Sequence, residues 1–94
     1  MKMPGNKLYR IVYSESVVKI DIPALPLTMK QRIKKAIEER LMHEPYLFGK
    51  PLRYAFKGQR RLRVGDYRIL YSIDEAKIEV KIHAIQHRSV VYDD

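Results

Sequence analysis

Alternating apolar and polar residues in the last third of the chain predict a β-strand over segment 77–84. The apolar positions are Ile78, Val80, Ile82 and Ala84, and the polar positions are Lys77, Glu79, Lys81 and His83. This two-residue period is typical of a strand with one buried face. Segments 59–64 and 67–73 flank the dipeptide Gly65-Asp66, which favours a tight turn between two further strands. The pattern therefore predicts three consecutive strands joined by short turns.

The first half of the chain changes from a strand period to a helical one. Segment 8–13 is rich in β-branched and aromatic residues and predicts a first strand. A serine-capped helix of about two turns follows, because Pro23 and Pro26 limit its length. Its apolar surface is formed by Val17, Val18, Ile20 and Ile22. Thr28 opens a capping-box pattern and a second helix of roughly four turns. The apolar stripe of that helix is Met29, Ile33, Ala36, Ile37 and Leu41.

The order of these elements predicts an α+β fold. The second helix ends at 43–45, and segment 46–58 is expected to be a connection with a short extended piece around 52–54. Short turns between consecutive strands favour antiparallel pairing. We therefore expect an N-terminal strand and two helices packed on an antiparallel sheet of three to four further strands. No repeat or linker divides the chain, so residues 1–94 are expected to form one domain.

Composition narrows the classes of function. The 94 residues carry a formal net charge of +8, which indicates a polyanionic partner. The chain has no cysteine, which excludes disulfides, thiolate catalysis and cysteine-based zinc sites. We expect no membrane partner, because no apolar run approaches the length of a membrane span. The first seven residues lack the apolar segment of a secretory signal, and a cytoplasmic location is expected.

Basic residues are concentrated around the predicted hairpin. They are Arg53, Lys57, Arg60, Arg61, Arg63 and Arg68, with Asp66 as their acidic neighbour. Leu62 and Val64 belong against the helices, so Arg61 and Arg63 are expected on the opposite, open face of the sheet. Arg60 is expected near a strand end with its head in solvent. Such guanidiniums suit a phosphate. The alternative is an ordinary solvated face, neutralised in part by acids such as Glu79.

The C-terminal segment adds groups suited to proton transfer. His83 and His87 lie near the end of the third strand, and Arg88 and Tyr92 follow. Histidines beside a basic face are candidates for acid–base chemistry at a bound phosphate. A zinc site built from the two histidines and Asp93 or Asp94 is a weaker alternative, because the spacing matches no established pattern. We predict no metal and no cofactor.

The motifs resemble the RelE/ParE superfamily of toxins from type II toxin–antitoxin systems. The resemblance rests on Leu62-Arg63-Val64-Gly65-Asp66-Tyr67-Arg68-Ile69-Leu70-Tyr71 and on His87-Arg88-Ser89-Val90-Val91-Tyr92. Tyr9-Arg10-Ile11-Val12-Tyr13 and Gly49-Lys50-Pro51-Leu52 agree with it, so the likeness covers essentially the whole chain. It implies that a cognate acidic antitoxin binds this protein, and that operator DNA is contacted only through the complex with the antitoxin.

The RelE-like branch of this superfamily implies a ribosome-dependent endoribonuclease. Such toxins cut mRNA in the ribosomal A site and so inhibit translation. The positions that match the branch are Arg61, Arg63, Arg68, Arg88 and Tyr92. The resemblance implies attack of a 2′-hydroxyl on the adjacent phosphate without a metal. Arg61 and Arg68 would then stabilise the phosphoryl oxygens.

The resemblance also implies roles for the other residues and leaves one position in doubt. His87 would shuttle the proton, and Arg88 would clamp phosphate or hold the C-terminal segment. Tyr92 would stack on or hydrogen-bond a nucleotide, or else pack as a tyrosine at the edge of the core. RNA or ribosome binding is assigned to Arg63, Arg60, Lys57, Arg53, Lys50, Lys34 and Lys35. Some RelE-like toxins place a lysine, proposed as the general base, where this chain has Gln59. The base would then be His87, His83 or an arginine in an unusual environment.

Two other functions remain open at this point. The ParE-like branch poisons DNA gyrase and is not known as a nuclease. A degenerate toxin would act only as a DNA-binding corepressor together with its antitoxin. The presence of Gln59 in place of a lysine favours this corepressor function.

Overall fold

One five-stranded sheet organises the molecule, and the computed structural model describes residues 7–90 of the chain. The strands are β1 (Arg10–Tyr13), β2 (Lys50–Pro51), β3 (Arg60–Val64), β4 (Tyr67–Asp74) and β5 (Glu79–His87). The helices are α1 (Leu27–Ala36) and α2 (Pro45–Phe48). Three further helical segments are Val17–Asp21, Ile37–Leu41 and the single turn Tyr54–Phe56. No helix in this part of the chain is long and apolar enough to cross a membrane.

The strand order explains how the N-terminal strand joins the sheet. The order is β1-β5-β4-β3-β2, and β1 runs parallel to β5 while the other pairs are antiparallel. A parallel pair requires a crossover connection, which the helices supply. The α+β prediction is confirmed, with β1 at one edge and the antiparallel strands β2–β5 beside it.

The helices cover one face of the sheet and form the core with it. Ile33, Ala36, Ile37 and Leu41 of the predicted stripe are buried, and Met29 packs against them partly exposed. The sheet contributes buried side chains from each central strand, namely Leu62, Val64, Ile69, Tyr71, Val80, Ile82 and Ile85. The opposite face of the sheet carries no helix among residues 7–90 and is called the open face here.

A β-bulge changes the face pattern of β5. Ile82 lies opposite Tyr71 while Ala84 lies opposite Leu70, so one extra residue, His83, is inserted between the two pairs. Ile85 rather than Ala84 therefore continues the buried set after Ile82. The prediction that Ala84 shares the core face was wrong, because period-two alternation does not survive a bulge. The strand also continues to His87, beyond the predicted segment 77–84.

The first helical segment buries less than its composition suggested. Val17 is fully buried against β5, whereas Val18 and Ile20 are 53% and 65% exposed. A short segment lying on one strand hides only one of its faces, which explains the difference. Its end before Pro23 agrees with the predicted limit.

The start of α1 also differs from the capping-box prediction. The helix begins at Leu27 with Pro26 in the capping position, and no side chain caps it. Thr28 lies inside the first turn. Proline has a fixed backbone angle that suits the entry to a helix, but it supplies no side-chain acceptor for the first-turn amides.

The connection between the helices and the basic hairpin holds more structure than expected. Pro45 opens α2 rather than ending the preceding helix, and the extended piece is β2 at Lys50–Pro51. Gly49 lies between α2 and β2. A glycine is needed there because its α-carbon lies against the buried Tyr71. A β-carbon there would lie 1.8 Å from the Tyr71 Oη. That hydroxyl donates a hydrogen bond to the Pro45 carbonyl at 2.6 Å.

Candidate functional site

The predicted faces of the basic hairpin are confirmed by the strand register. Arg63 lies directly opposite Arg68 in the β3–β4 pair, and directly opposed side chains share a face. Leu62 and Val64, which alternate with Arg61 and Arg63, are buried in the core. Arg61 and Arg63 therefore project from the open face, as expected from the sequence, and Arg68 projects from the same face.

A pocket of about 270 Å³ lies where the hairpin turns. Its lining residues are Arg63, Gly65, Asp66, Tyr67, Arg68 and Arg88. The wall of this opening thus contains three guanidiniums and a single carboxylate, that of Asp66. Gly65 provides the tight turn, because its φ of 59° lies in the left-handed region that favours glycine. An opening of this charge and size suits a phosphate group.

The C-terminal segment is tied to the hairpin turn by its backbone, which brings Arg88 to the pocket. The Arg88 amide donates to the Asp66 carbonyl at 2.7 Å. In return, Arg68 Nη1 donates to the Arg88 carbonyl at 2.9 Å. The Arg88 Nε lies 3.7 Å from Asp66 Oδ1, both side chains being well exposed. Asp66 therefore positions the C-terminal segment at the hairpin turn and also opposes the arginine charges. Its sequence position in a turn did not indicate the positioning role.

Arg68 is held in place while part of its guanidinium stays unsatisfied. Its Nε is buried and has no hydrogen-bond partner among the described residues, although Nη1 is bonded to the tail. A buried charged donor without a partner is costly.

Arg60 serves the fold more than the open face. Its Nη2 donates to the carbonyls of Tyr46 and Gly49 at 2.8 and 2.6 Å, and its guanidinium lies over the Tyr46 ring. Arg60 lies at the first position of β3, as expected, and its partly exposed head is bonded to these carbonyls. The strand alternation puts Arg60 on the face of Leu62, next to the α2–β2 connection that it holds.

His87 lies on the other side of the sheet from the three hairpin arginines. It is opposite Tyr67 in the β4–β5 register, and the two rings meet edge to face with centroids 5.2 Å apart. The Ser89 amide donates to His87 Nδ1 at 3.1 Å. The neutral ring therefore carries its hydrogen on Nε2. The sequence placed His87 beside the basic face; the structure instead places it at the end of β5, next to Arg88.

His83 lies on the open face but far from the turn pocket. Its Nε2 is 2.7 Å from the Ser72 hydroxyl. Burial, and secondarily the charge of Lys81, lowers the pKa of His83 below its ordinary value. Ser72 and Arg68 are four residues apart on β4, about 13 Å at the rise of a strand. His83 therefore does not share a phosphate with Arg68, and the structure brings neither histidine into the pocket.

The remaining predicted contacts are spread around the molecule. Lys50 lies opposite Arg61 and extends the basic open face. Arg53 and Lys57 flank the turn Tyr54–Phe56 and are exposed. Lys34 and Lys35 are exposed on α1, on the helix side of the sheet. Tyr92, Asp93 and Asp94 lie outside residues 7–90.

Two further details bear on the predicted chemistry. Glu79 pairs with Arg10 of β1, so it does not neutralise the hairpin arginines. Among residues 7–90, no group of three or more histidine, aspartate or glutamate side chains is arranged to hold a metal ion. Arg32 also lies near the pocket, which the sequence did not indicate. A β-carbon added at Gly65 would be 3.1 Å from the Arg32 Nη1.

Comparisons with known proteins identify relatives of this chain. The model of the family described as the ParE toxin of type II toxin–antitoxin system, parDE, matches residues 11–92. Toxin RelE of Mycobacterium tuberculosis is 35% identical over 90 residues, covering 96% of this chain and 92% of that protein.

Solved structures of toxin–antitoxin complexes share the fold. A chain of the RelBE2 complex from Mycobacterium tuberculosis superposes with a TM-score of 0.82 at 30% identity, over 89% of this chain and 95% of that one. The archaeal RelE–RelB complex from Pyrococcus horikoshii gives a TM-score of 0.69 at 25% identity, over 89% and 99%.

The fold and the basic face thus define a small toxin of RelE type. This chain belongs to the ParE toxin family of type II toxin–antitoxin systems, within the RelE/ParE superfamily, and is the toxin of such a module.

Proposed function

We propose that this toxin is a ribosome-dependent endoribonuclease that cuts mRNA in the A site and so stops translation. The observation that carries the proposal is the pocket lined by Arg63, Arg68 and Arg88, which suits one phosphate of an RNA backbone. The relatives named RelE support the same assignment.

The proposed reaction is transfer within the RNA strand. The 2′-oxygen forms a bond to the adjacent phosphorus, the bond from phosphorus to the 5′-oxygen breaks, and the products are a 2′,3′-cyclic phosphate and a 5′-hydroxyl. Arg68 and Arg88 would stabilise the charge on the phosphoryl oxygens, the electrostatic contribution that usually dominates such catalysis. Arg63 would orient the backbone, and Arg61 would hold the neighbouring phosphate.

Proton transfer is assigned to His87 from its free ring nitrogen and its position next to Arg88. His87 lies outside the pocket, so this role requires the bound RNA to bring the departing 5′-oxygen to its Nε2. The protonated ring would donate that hydrogen, since Ser89 occupies the other ring nitrogen. Its place next to Arg88 favours it over His83, whose ring is bonded to Ser72. We expect His87→Gln to slow cleavage by about 100-fold, within the usual range for a general acid or base. A loss below about threefold would remove His87 from the mechanism.

The proposed partner that restrains this activity is an acidic antitoxin of RelB type. Two of the structural relatives are complexes of a RelE toxin with its RelB antitoxin. The formal net charge of +8 favours an acidic segment that covers the basic face, and the two proteins would bind operator DNA together.

The test is to add the purified toxin to ribosomes programmed with a defined mRNA and to map new RNA ends by primer extension. Ends inside the A-site codon, absent without ribosomes, are the expected result. The matching family model carries the ParE name, so DNA supercoiling by gyrase is measured in parallel. An intact message together with inhibited gyrase would overturn the proposal.

A further inference from the structure

A second pocket, of about 520 Å³, lies at the outer edge of the sheet. It adjoins the pocket lined by Arg63, Arg68 and Arg88, which is called the arginine pocket here. Its lining residues are Arg40, Phe48, Lys50, Arg61, Leu62 and Arg63. The volume lies within the range of about 300–1,000 Å³ that is common for small-ligand sites. Four of the lining side chains are cations and none is an acid.

The edge is open because β2 is short. Lys50 and Pro51 pair with Arg61 and Arg60, and no described strand continues along the outer side of segment 62–64. The space beyond the end of β2 is bounded by Arg40 and Phe48 on the helix side and by Lys50 on the open face. The pocket therefore wraps around the strand edge from one face of the sheet to the other.

Arg63 lines both pockets and so joins them into one track. An RNA strand with a phosphate at Arg68 and Arg88 would pass Arg63 directly into the second pocket. Lys50 and Arg61, which lie opposite each other on β2 and β3, line that pocket as well.

Phe48 gives the second pocket an aromatic wall. The side chain is 44% exposed, and the Arg40 guanidinium lies 5.8 Å from the centre of its ring. A core residue would not leave this much aromatic surface uncovered. A ring flanked by cations suits a flat base attached to a phosphate, because the base stacks on the ring while the cations hold the backbone.

We propose that this pocket binds a nucleotide next to the cleaved phosphate, with its base stacked on Phe48. The proposal rests on the proposed function, since it places a second nucleotide of the same RNA. Phe48 is a binding residue here, and the chemistry remains at the arginine pocket.

The test measures binding of a five-nucleotide 2′-O-methyl RNA, which lacks the attacking hydroxyl and cannot be cut. Phe48→Ala is expected to weaken binding about 5- to 150-fold, the loss of about 1–3 kcal/mol of stacking. Phe48→Tyr should bind like the wild type. Leu47→Ala is the matched control, because Leu47 lies on the same turn, is 71% exposed and does not line the pocket.

Removal of single bases separates stacking from general damage. An abasic residue is placed at each position of the oligonucleotide in turn. When the abasic residue replaces the nucleotide whose base stacks on Phe48, wild type and Phe48→Ala should bind the strand equally. The stacking contact that the substitution removes is then absent in both proteins. Failure of the wild type to bind the intact strand at low salt, or equal binding of it by Phe48→Ala, would overturn the proposal. If Phe48→Ala weakens only antitoxin binding, the pocket is a protein-docking surface and the proposal is equally wrong.

The two proposals fail in different ways. Base-dependent binding with no cut on programmed ribosomes would overturn the nuclease and leave the nucleotide pocket. A cut message with no effect of Phe48 on binding would overturn the pocket alone.

Discussion

Arg68 combines a fixed position with an unsatisfied guanidinium. The strand register aligns it with Arg63, the tail carbonyl of Arg88 holds its Nη1, and its buried Nε lacks a partner among the described residues. A guanidinium that is fixed in this way is preorganised, so it stabilises charge that develops in a transition state without having to reorganise first. Arg68 is therefore the residue at which the phosphate-binding account is tested most simply.

We expect Arg68→Ala to slow cleavage on programmed ribosomes by at least about 100-fold, as for the loss of one donor to a developing oxyanion. Lys77→Ala is the control, because it removes an exposed cation at the far end of the β4–β5 hairpin. Both variants should keep the wild-type circular dichroism and bind the antitoxin. Full activity of Arg68→Ala would contradict the phosphate pocket.

His83 provides a test through pH. Burial and Lys81 lower its pKa in the folded state, so protonation favours the unfolded chain, where the pKa is about 6.5. The contribution of neutral His83 to stability is present above that pH and is lost as the pH falls below it. His83→Gln, which keeps a partner for Ser72, should therefore lose less stability between about pH 7.5 and about pH 5.5.

Denaturant midpoints at the two pH values check this expectation. The two other histidines are unchanged in the variant, so the difference between the proteins isolates position 83. Equal losses in wild type and variant would show that the His83 ring is not in a buried environment.

At the scale of elements, some features follow from local sequence and others do not. The hairpin around Gly65 and the helical stripe from Ile33 to Leu41 were predicted because their signals lie within a few residues. The bulge at His83 was not, because Ala84 and Ile85 are both apolar and the sheet decides which one faces the core. The helix at Pro45 was read as a helix end, since proline is common both after a helix and at its first position.

The junction between α2 and β2 offers a stability prediction. Gly49→Ala would drive a β-carbon into the buried Tyr71 hydroxyl, and we expect it to lower the free energy of unfolding by at least about 2 kcal/mol. Gly58→Ala is the control: no atom lies within 4 Å of its added β-carbon, although its φ of 95° makes the change strained. A strain of about 1 kcal/mol is expected there.

Chemical denaturation of both variants measures the difference. Hydrogen bonds from Tyr71 to the Pro45 carbonyl and from Arg60 to the Gly49 carbonyl hold this junction. Phe48 and Lys50, the neighbours of Gly49, line the second pocket. If Gly49→Ala proves no more destabilising than Gly58→Ala, the close approach of Tyr71 is not a feature of the folded protein.

At the scale of the whole molecule, charge and topology act together. The antiparallel strands β3 and β4 present the hairpin arginines on one face, and the segment after β5 returns to the turn through the Arg88 backbone. The sequence indicated the arginines because strand alternation is local. It did not place His87 on the opposite face or Phe48 beside Arg61, because those relations depend on where the tail and α2 pack.

The measurement that tests the central claim most directly uses two messages on programmed ribosomes. One is all RNA, and the other carries a single 2′-deoxy nucleotide on the 5′ side of the expected cut. The account predicts that the toxin cuts the first message in the A-site codon, leaving a 2′,3′-cyclic phosphate, and leaves the second intact at that position. Equal cutting of both messages, or cutting of neither by a folded and toxic protein, would contradict it.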